Sequence, residues 1–161
     1  MLPSVYVETS VISYLASRGS GILRVAANLQ TTRDWWEGRR NGFELFVSRF
    51  VVAECMEGDP ESAGSRAAYL SGIPLLEVTD QVEQLADRLM VEVPLPENAN
   101  IDALHIAAAA VHGVEYLLTW NCKHIANPVL RPRIEEACRE DGFEPPVICT
   151  PQEMLEIDDD A

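Results

Sequence analysis

The chain has 161 residues, 47% hydrophobic and 24% charged, the balance of one ordinary globular domain large enough to bury a core without disulfide staples. No apolar run approaches the roughly 20 residues of a membrane span, and the amino terminus has no basic-then-apolar pattern of a secretory signal. A net charge of −14 argues against a protein that coats nucleic acid by charge alone.

The charge is uneven. Residues 1–50 hold six of the 12 basic side chains and four acids, a sum of +2, while residues 51–161 sum to −16. The acidic part permits a protein that holds phosphates through metal ions, or one steered toward a basic partner. The four cysteines, Cys55, Cys122, Cys138 and Cys149, form no CxxC pair and no zinc spacing. They read as reduced, mostly buried thiols of a cytoplasmic protein.

In chain order, Val5 to Val7 is a β-rich run that delivers Glu8, and Thr9 or Ser10 is placed to cap the helix that follows. Ser17 to Gly21 reads as a loop. Ile22 to Arg40 has apolar residues at helical spacing with arginines between them, and Asn41-Gly42 ends it. Trp35 and Trp36 are adjacent, so one is expected in the core and the other at the rim, available to a homodimer or partner groove.

Phe43 to Val47 is a second strand. Ser48 caps a helix through Cys55, and Asp59-Pro60 starts another toward Gly72. Ile73 to Val78 is a third strand, and Thr79 or Asp80 caps a helix with Val82, Leu85, Ala86 and Leu89 on one face. A Pro/Asn loop leads to an alanine-rich helix from Ile101 to His112 that opens at Asn100 and ends at Gly113.

Glu115 to Thr119 is a fourth strand, and Trp120 to Asn127 a turn with a helical start. A helix follows from Pro132 to Glu140, then a fifth strand, Pro146 to Cys149. Thr150-Pro151 with Glu153 opens a last helix, and residues 156–161 form an acidic tail expected to fray. Strands alternating with helices predict a three-layer α/β sandwich around a mostly parallel five-stranded sheet, one domain over residues 1–155.

Four polar residues stand just past a strand or early in a helix: Glu8, Glu54, Asp102 and Asn121. Glu54 interrupts an apolar run, with Glu57 in reserve on nearly the same face. Asp102 opens a helix with little other polar surface, and His105 shares its face as a hydrogen-bonded core or rim residue. Asn121 either caps its loop or faces the same side as Thr119. Lys123, the only lysine, is either a surface residue or a cation for a phosphate. The carboxyl edge of a parallel sheet is where such positions meet. Acids gathered there repel unless a cation neutralises them, and hard oxygen donors suit Mg²⁺ or Mn²⁺.

With these segments in place — Tyr6-Val7-Glu8-Thr9-Ser10-Val11-Ile12, Val52-Ala53-Glu54, Asp102-Ala103-Leu104-His105-Ile106-Ala107 and Leu117-Leu118-Thr119-Trp120-Asn121 — the chain resembles the PIN domain, the nuclease fold of VapC-type toxins of bacterial toxin–antitoxin pairs. The resemblance runs in order over nearly the whole chain. It implies a metal-dependent endoribonuclease with Glu8, Glu54 and Asp102 on a Mg²⁺ or Mn²⁺ ion. Asn121 falls where a fourth acid often occurs, and Ser10 is the hydroxyl residue after the first acid. The resemblance also implies an RNA substrate, an antitoxin partner and a homodimer.

Two departures stand out. Glu8 replaces the usual Asp and is one methylene longer, and Asn121 carries no charge, so a second metal would bind weakly. They motivate an alternative, a PIN-like scaffold that binds RNA or protein without cutting. A small phosphatase is disfavoured, because Glu8-Thr9-Ser10 supplies no Dx-D nucleophile motif.

Overall fold

The computed structural model describes the backbone of residues 1–159 and the side chains of residues 1–156. Five strands form one sheet: β1 (Ser4–Val7), β2 (Glu44–Ser48), β3 (Leu75–Leu76), β4 (Tyr116–Leu118) and β5 (Val147–Cys149). Their spatial order is β3-β2-β1-β4-β5 and every pairing is parallel. β1 is therefore central, and its residues 5–7 are fully buried. A parallel strand covered on both faces needs such an unbroken apolar run.

Among the described residues, eight α-helices and a short 3₁₀ helix (Arg40–Gly42) join and cover the strands: α1 (Thr9–Ala16), α2 (Leu23–Gly38), α3 (Arg49–Cys55), α4 (Pro60–Leu70), α5 (Asp80–Glu92), α6 (Asn100–Val111), α7 (Arg131–Glu140) and α8 (Pro151–Asp159). α1 packs on α2 and α4, and α2 on α8; separately, α5 packs on α6 and α7. The short α3 touches both groups, through α1 and through α6. The expected α/β sandwich with a central five-stranded sheet is what the chain forms.

Local chemistry accounts for most boundaries. Ser48 caps α3 by accepting from the Phe50 N–H, Asp59 caps α4 from Ser62, and Thr79 caps α5 from Val82. Thr150 and Glu153 exchange side chain-to-backbone bonds at 3.1 and 3.2 Å, a reciprocal capping box at the start of α8. Gly113, at φ 67°, ends α6, and Val114 then donates back to Ala109 at 2.9 Å.

Four details differ from the sequence reading. The third strand shrinks to Leu75–Leu76, because it is an edge strand whose only partner is β2 and Pro74 offers no N–H. The first helix is capped by Glu8 itself, not by Thr9 or Ser10. Trp35 and Trp36 are both buried, at 0% and 7% exposure, because Trp36 lies edge-on to Tyr69 and beneath the Arg40 guanidinium. Helix α8 runs on to Asp159, past the point where a frayed tail was expected to begin, and residues 160–161 lie outside the described residues.

The alanines of α6 have a steric purpose. Ala103, Ala107, Ala108, Ala109 and Ala110 are all buried at 2% exposure or less, so the helix is enclosed on nearly every side. Small side chains let α5 and the sheet approach closely. Ala107→Leu is therefore expected to destabilise the fold by about 1–3 kcal/mol through overpacking, read as a lower urea midpoint at unchanged slope.

A candidate active site at the carboxyl edge of the sheet

The chain leaves β1 toward β2 on one side, and later fills β4 on the other. The crevice past the carboxyl ends of β1 and β4 is thus the topological switch point, where open α/β sheets bind ligands. Glu8 follows β1 and Thr119 follows β4.

Glu8 is 4% exposed and tied on both oxygens. Its Oε2 accepts the Ser10 N–H at 3.1 Å, the N-cap bond of α1. Its Oε1 accepts the Ser10 hydroxyl at 2.5 Å and the Thr119 hydroxyl at 2.6 Å. Each hydroxyl also accepts from the loop after β4: Ser10 from the Trp120 N–H at 2.8 Å, Thr119 from the Asn121 N–H at 2.9 Å. Three donors thus converge on this buried carboxylate, and the ends of β1 and β4 are laced together through it.

Glu54 reaches the same place from α3. Its Oε1 accepts the Thr9 hydroxyl and meets His105 Nε2, both at 2.6 Å. His105 is fully buried, and its Nδ1 lies 2.7 Å from the Tyr6 hydroxyl, which lies 2.7 Å from Ser48 Oγ. One direction satisfies every member when the imidazole is neutral. Ser48 donates to Tyr6, Tyr6 to Nδ1, and Nε2–H to Glu54. Burial holds the Tyr6 phenol well above its ordinary value, so it stays a proton donor. Burial pushes the Glu54 carboxyl up, but the His105 hydrogen bond and charge and the Thr9 hydroxyl outweigh it, leaving the group below its ordinary value.

One candidate ligand atom each from Glu8, Glu54 and His105 lie within 4.8 Å of one another, but both ring nitrogens of His105 are already bonded, which leaves the two carboxylates as the members open to a metal ion. Asp102 sits one helical turn before His105, but its carboxylate meets His124 Nδ1 at 2.8 Å. Among the described residues its oxygens do not join that convergent set. Asn121 acts as a turn cap: its side-chain oxygen accepts the His124 N–H at 3.0 Å, and its carbonyl accepts from Ile125 and Ala126. Lys123 is exposed beside it.

So the structure gathers Glu8, Ser10 and Glu54, hydrogen-bonds Asp102 to His124, and uses Asn121 to fold the turn that presents His124. Glu57 is exposed. Thr9, Thr119 and His124 were not singled out from sequence for these positions; the only local signal was a hydroxyl beside each strand end and a histidine inside a polar turn. Three cysteines are buried, Cys122 is exposed, and all four are free. Burial pushes the Cys55 thiol up to about 11 and those of Cys138 and Cys149 to about 12, so these three carry no reactive thiolate.

A carboxyl held below its ordinary value stabilises the fold above that value, and the contribution is lost as pH falls through the folded value. Urea midpoints of the wild type should therefore drop as pH falls below the ordinary carboxylate range near 4.5. Glu54→Gln should reduce that acid loss, and an identical pH dependence of the two proteins would contradict it.

No protein-family model matches the sequence, and no curated protein matches it. Solved structures do. One similar chain is VapC20 of Mycobacterium tuberculosis, described as a sarcin-ricin loop cleaving toxin: 21% identity, TM-score 0.60, covering 78% of this chain and 95% of that one. Another is a chain of VapBC2 from Rickettsia felis, a complex bound to a DNA fragment from its promoter: 14% identity, TM-score 0.59, covering 91% and 97%. At such identities the likeness speaks for architecture: the chain has the PIN-like fold of the VapC toxins.

Proposed function

We propose that the protein is a divalent-metal-dependent endoribonuclease that hydrolyses RNA phosphodiester bonds, acting as the toxin of a toxin–antitoxin pair. The observation that supports this most is the meeting of Glu8 and Glu54 at the switch-point crevice, in a fold shared with a toxin that cleaves the sarcin-ricin loop.

The donor set suits the ion. The hydroxyls of Ser10, Thr119 and Thr9 and the imidazole of His105 orient the two carboxylates. Two unit charges about 4 Å apart repel by about 4 kcal/mol at an effective dielectric near 20. A hard cation such as Mg²⁺ or Mn²⁺ would relieve this, with Glu8 and Glu54 as carboxylate ligands and Asp102 as the third once it leaves His124. Such an ion supplies an activated water and stabilises the charge that builds on the phosphate.

The protein's own residues then set the geometry. Ser10 and Thr119 fix the Glu8 rotamer, and Thr9 and His105 fix that of Glu54. Asn121 orients the turn that carries His124 and Lys123, with Lys123 as a cation for a phosphate oxygen. RNA approaches along the arginine-bearing helix α2, in the more basic half of the chain. An antitoxin protein as partner, a homodimer and a cytoplasmic setting complete the reading. No described helix is long and apolar enough to cross a membrane.

A second reading, a PIN-like scaffold that binds without cutting, draws support from the Asp102–His124 pair and from the side chain of Asn121 being spent on a turn. Mn²⁺ calorimetry and an RNA cleavage assay separate the two. Glu54→Gln and Asp102→Asn are each expected to lower Mn²⁺-dependent cleavage by about 100-fold or more and to weaken Mn²⁺ binding. Wild-type protein that binds no Mn²⁺ leaves the scaffold, and undiminished cleavage by Glu54→Gln removes the mechanism.

A further inference from the structure

We propose that the cleft beside the acidic cluster is a stacking subsite for one unpaired RNA base, with the Tyr14 ring as its platform. The identity of the occupant rests on the ribonuclease reading above.

The cleft measures about 320 Å³ and is lined by Ser10, Ser13, Tyr14, Ser17 and Val25. Its size is at the lower end of the roughly 300–1,000 Å³ of small-ligand sites, enough for a single base rather than a protein segment. The first four residues stand at i, i+3, i+4 and i+7 of the α1 stretch, so they form one stripe. Val25 of α2 closes the opposite wall.

Three observations select a nucleotide. The first is continuity. Ser10 lines the cleft, and its hydroxyl is the one bound to Glu8 at 2.5 Å. Tyr14 lies one helical turn further on, about 6 Å along the axis. A strand whose phosphate sits at the carboxylates therefore brings a neighbouring base to the Tyr14 ring.

The second is the aromatic pair. Tyr14 and Trp120 have ring centroids 5.7 Å apart, tilted by 57°. The Trp120 indole N–H donates to Thr32 Oγ1 at 2.7 Å, which fixes its plane and braces Tyr14 from behind. Tyr14 is only partly buried, so its ring retains open surface.

The third is charge. The Arg33 guanidinium donates to the Ser17 carbonyl at 3.0 Å, which sets a cation at the far end of the stripe. Backbone phosphates would be met there, while the hydroxyls of Ser13 and Ser17 can bond base edges of any kind. Stacking on an aromatic face tolerates all four bases, so the subsite demands an unpaired strand rather than a sequence.

The test is fluorescence anisotropy of the full chain with a 5′-labelled 12-mer of riboadenylate in Ca²⁺, a hard oxygen-binding ion that can bridge phosphate and carboxylates, with a gel confirming that the strand stays intact. Tyr14→Ala is expected to raise Kd by about 5- to 150-fold, the range for loss of one base–aromatic stack. Tyr14→Phe should stay within about twofold of wild type. Ser13→Trp, at an exposed position that leaves the core untouched, should weaken binding by filling the cleft. The same 12-mer annealed to its complement should bind with no dependence on Tyr14.

Equal affinity of Tyr14→Ala and wild type overturns the proposal, as does a Tyr14→Phe variant as weak as Tyr14→Ala, or a wild type that does not bind the strand. A cleft that instead receives a protein partner gives the first of these results. The ribonuclease reading fails separately. Mn²⁺-dependent cleavage with a Tyr14-independent affinity removes the subsite alone, and a Tyr14-dependent affinity in a protein that binds no Mn²⁺ removes the nuclease alone.

Discussion

The structure depends on how a buried carboxylate is held at the junction of β1 and β4. Glu8 is an unusual N-cap, since the short side chains of Ser, Thr, Asp and Asn normally fill that position. Its additional methylene lets one oxygen fold back on the Ser10 N–H while the other reaches across to Thr119. The two hydroxyls that donate to it accept in turn from the backbone of the next loop. Strand pairing ends at Leu118, and this side-chain lacing continues it into the crevice. The cost of burying a charge is thereby offset by three donors and the positive end of α1.

The second carboxylate is held by a different device. Glu54 is the outer end of a chain of hydrogen bonds that begins at the cap of α3 and crosses the central strand through Tyr6. His105 connects that chain to α6. Three elements distant in sequence, β1, α3 and α6, are thus registered against one another by polar groups inside an otherwise apolar core. Buried networks of this kind rigidify only when every member is satisfied, and here each member has its partner. The Glu54 carboxylate is thereby held in place by the fold itself.

Asp102 and His124 show the opposite tendency. Each is 18% exposed, and they meet from α6 and from the turn after β4. Their pairing holds the turn against the helix and leaves the Asp102 oxygens outside the set formed by Glu8 and Glu54. At that exposure the contact is largely shielded from water, and it directs the Asp102 carboxylate to His124. The crevice therefore holds two carboxylates, Glu8 and Glu54, whose positions are fixed by hydrogen bonds.

The amino-acid order alone reveals the alternation of strands and helices, the caps at Ser48 and Asp59, a cap at Thr79 or Asp80, the alanine helix and the acids that end β1 and open α6. These features are legible because they arise from interactions within a few residues, or from a period that burial imposes along one element. It also picked out Glu8, Glu54 and Ser10, since a charge or hydroxyl at the end of an apolar run is locally conspicuous. Only the tertiary structure decided that His105 spends both ring nitrogens on Tyr6 and Glu54, that Thr119 completes the hold on Glu8, that Asp102 turns to His124 while Asn121 caps the turn, and that Trp36 is covered by Tyr69 and Arg40. Those partners are between 22 and 111 residues apart wherever side chains pair across elements at the site. Their choice depends on which strand ends the parallel sheet places side by side, a consequence of packing that no stretch of neighbouring residues encodes.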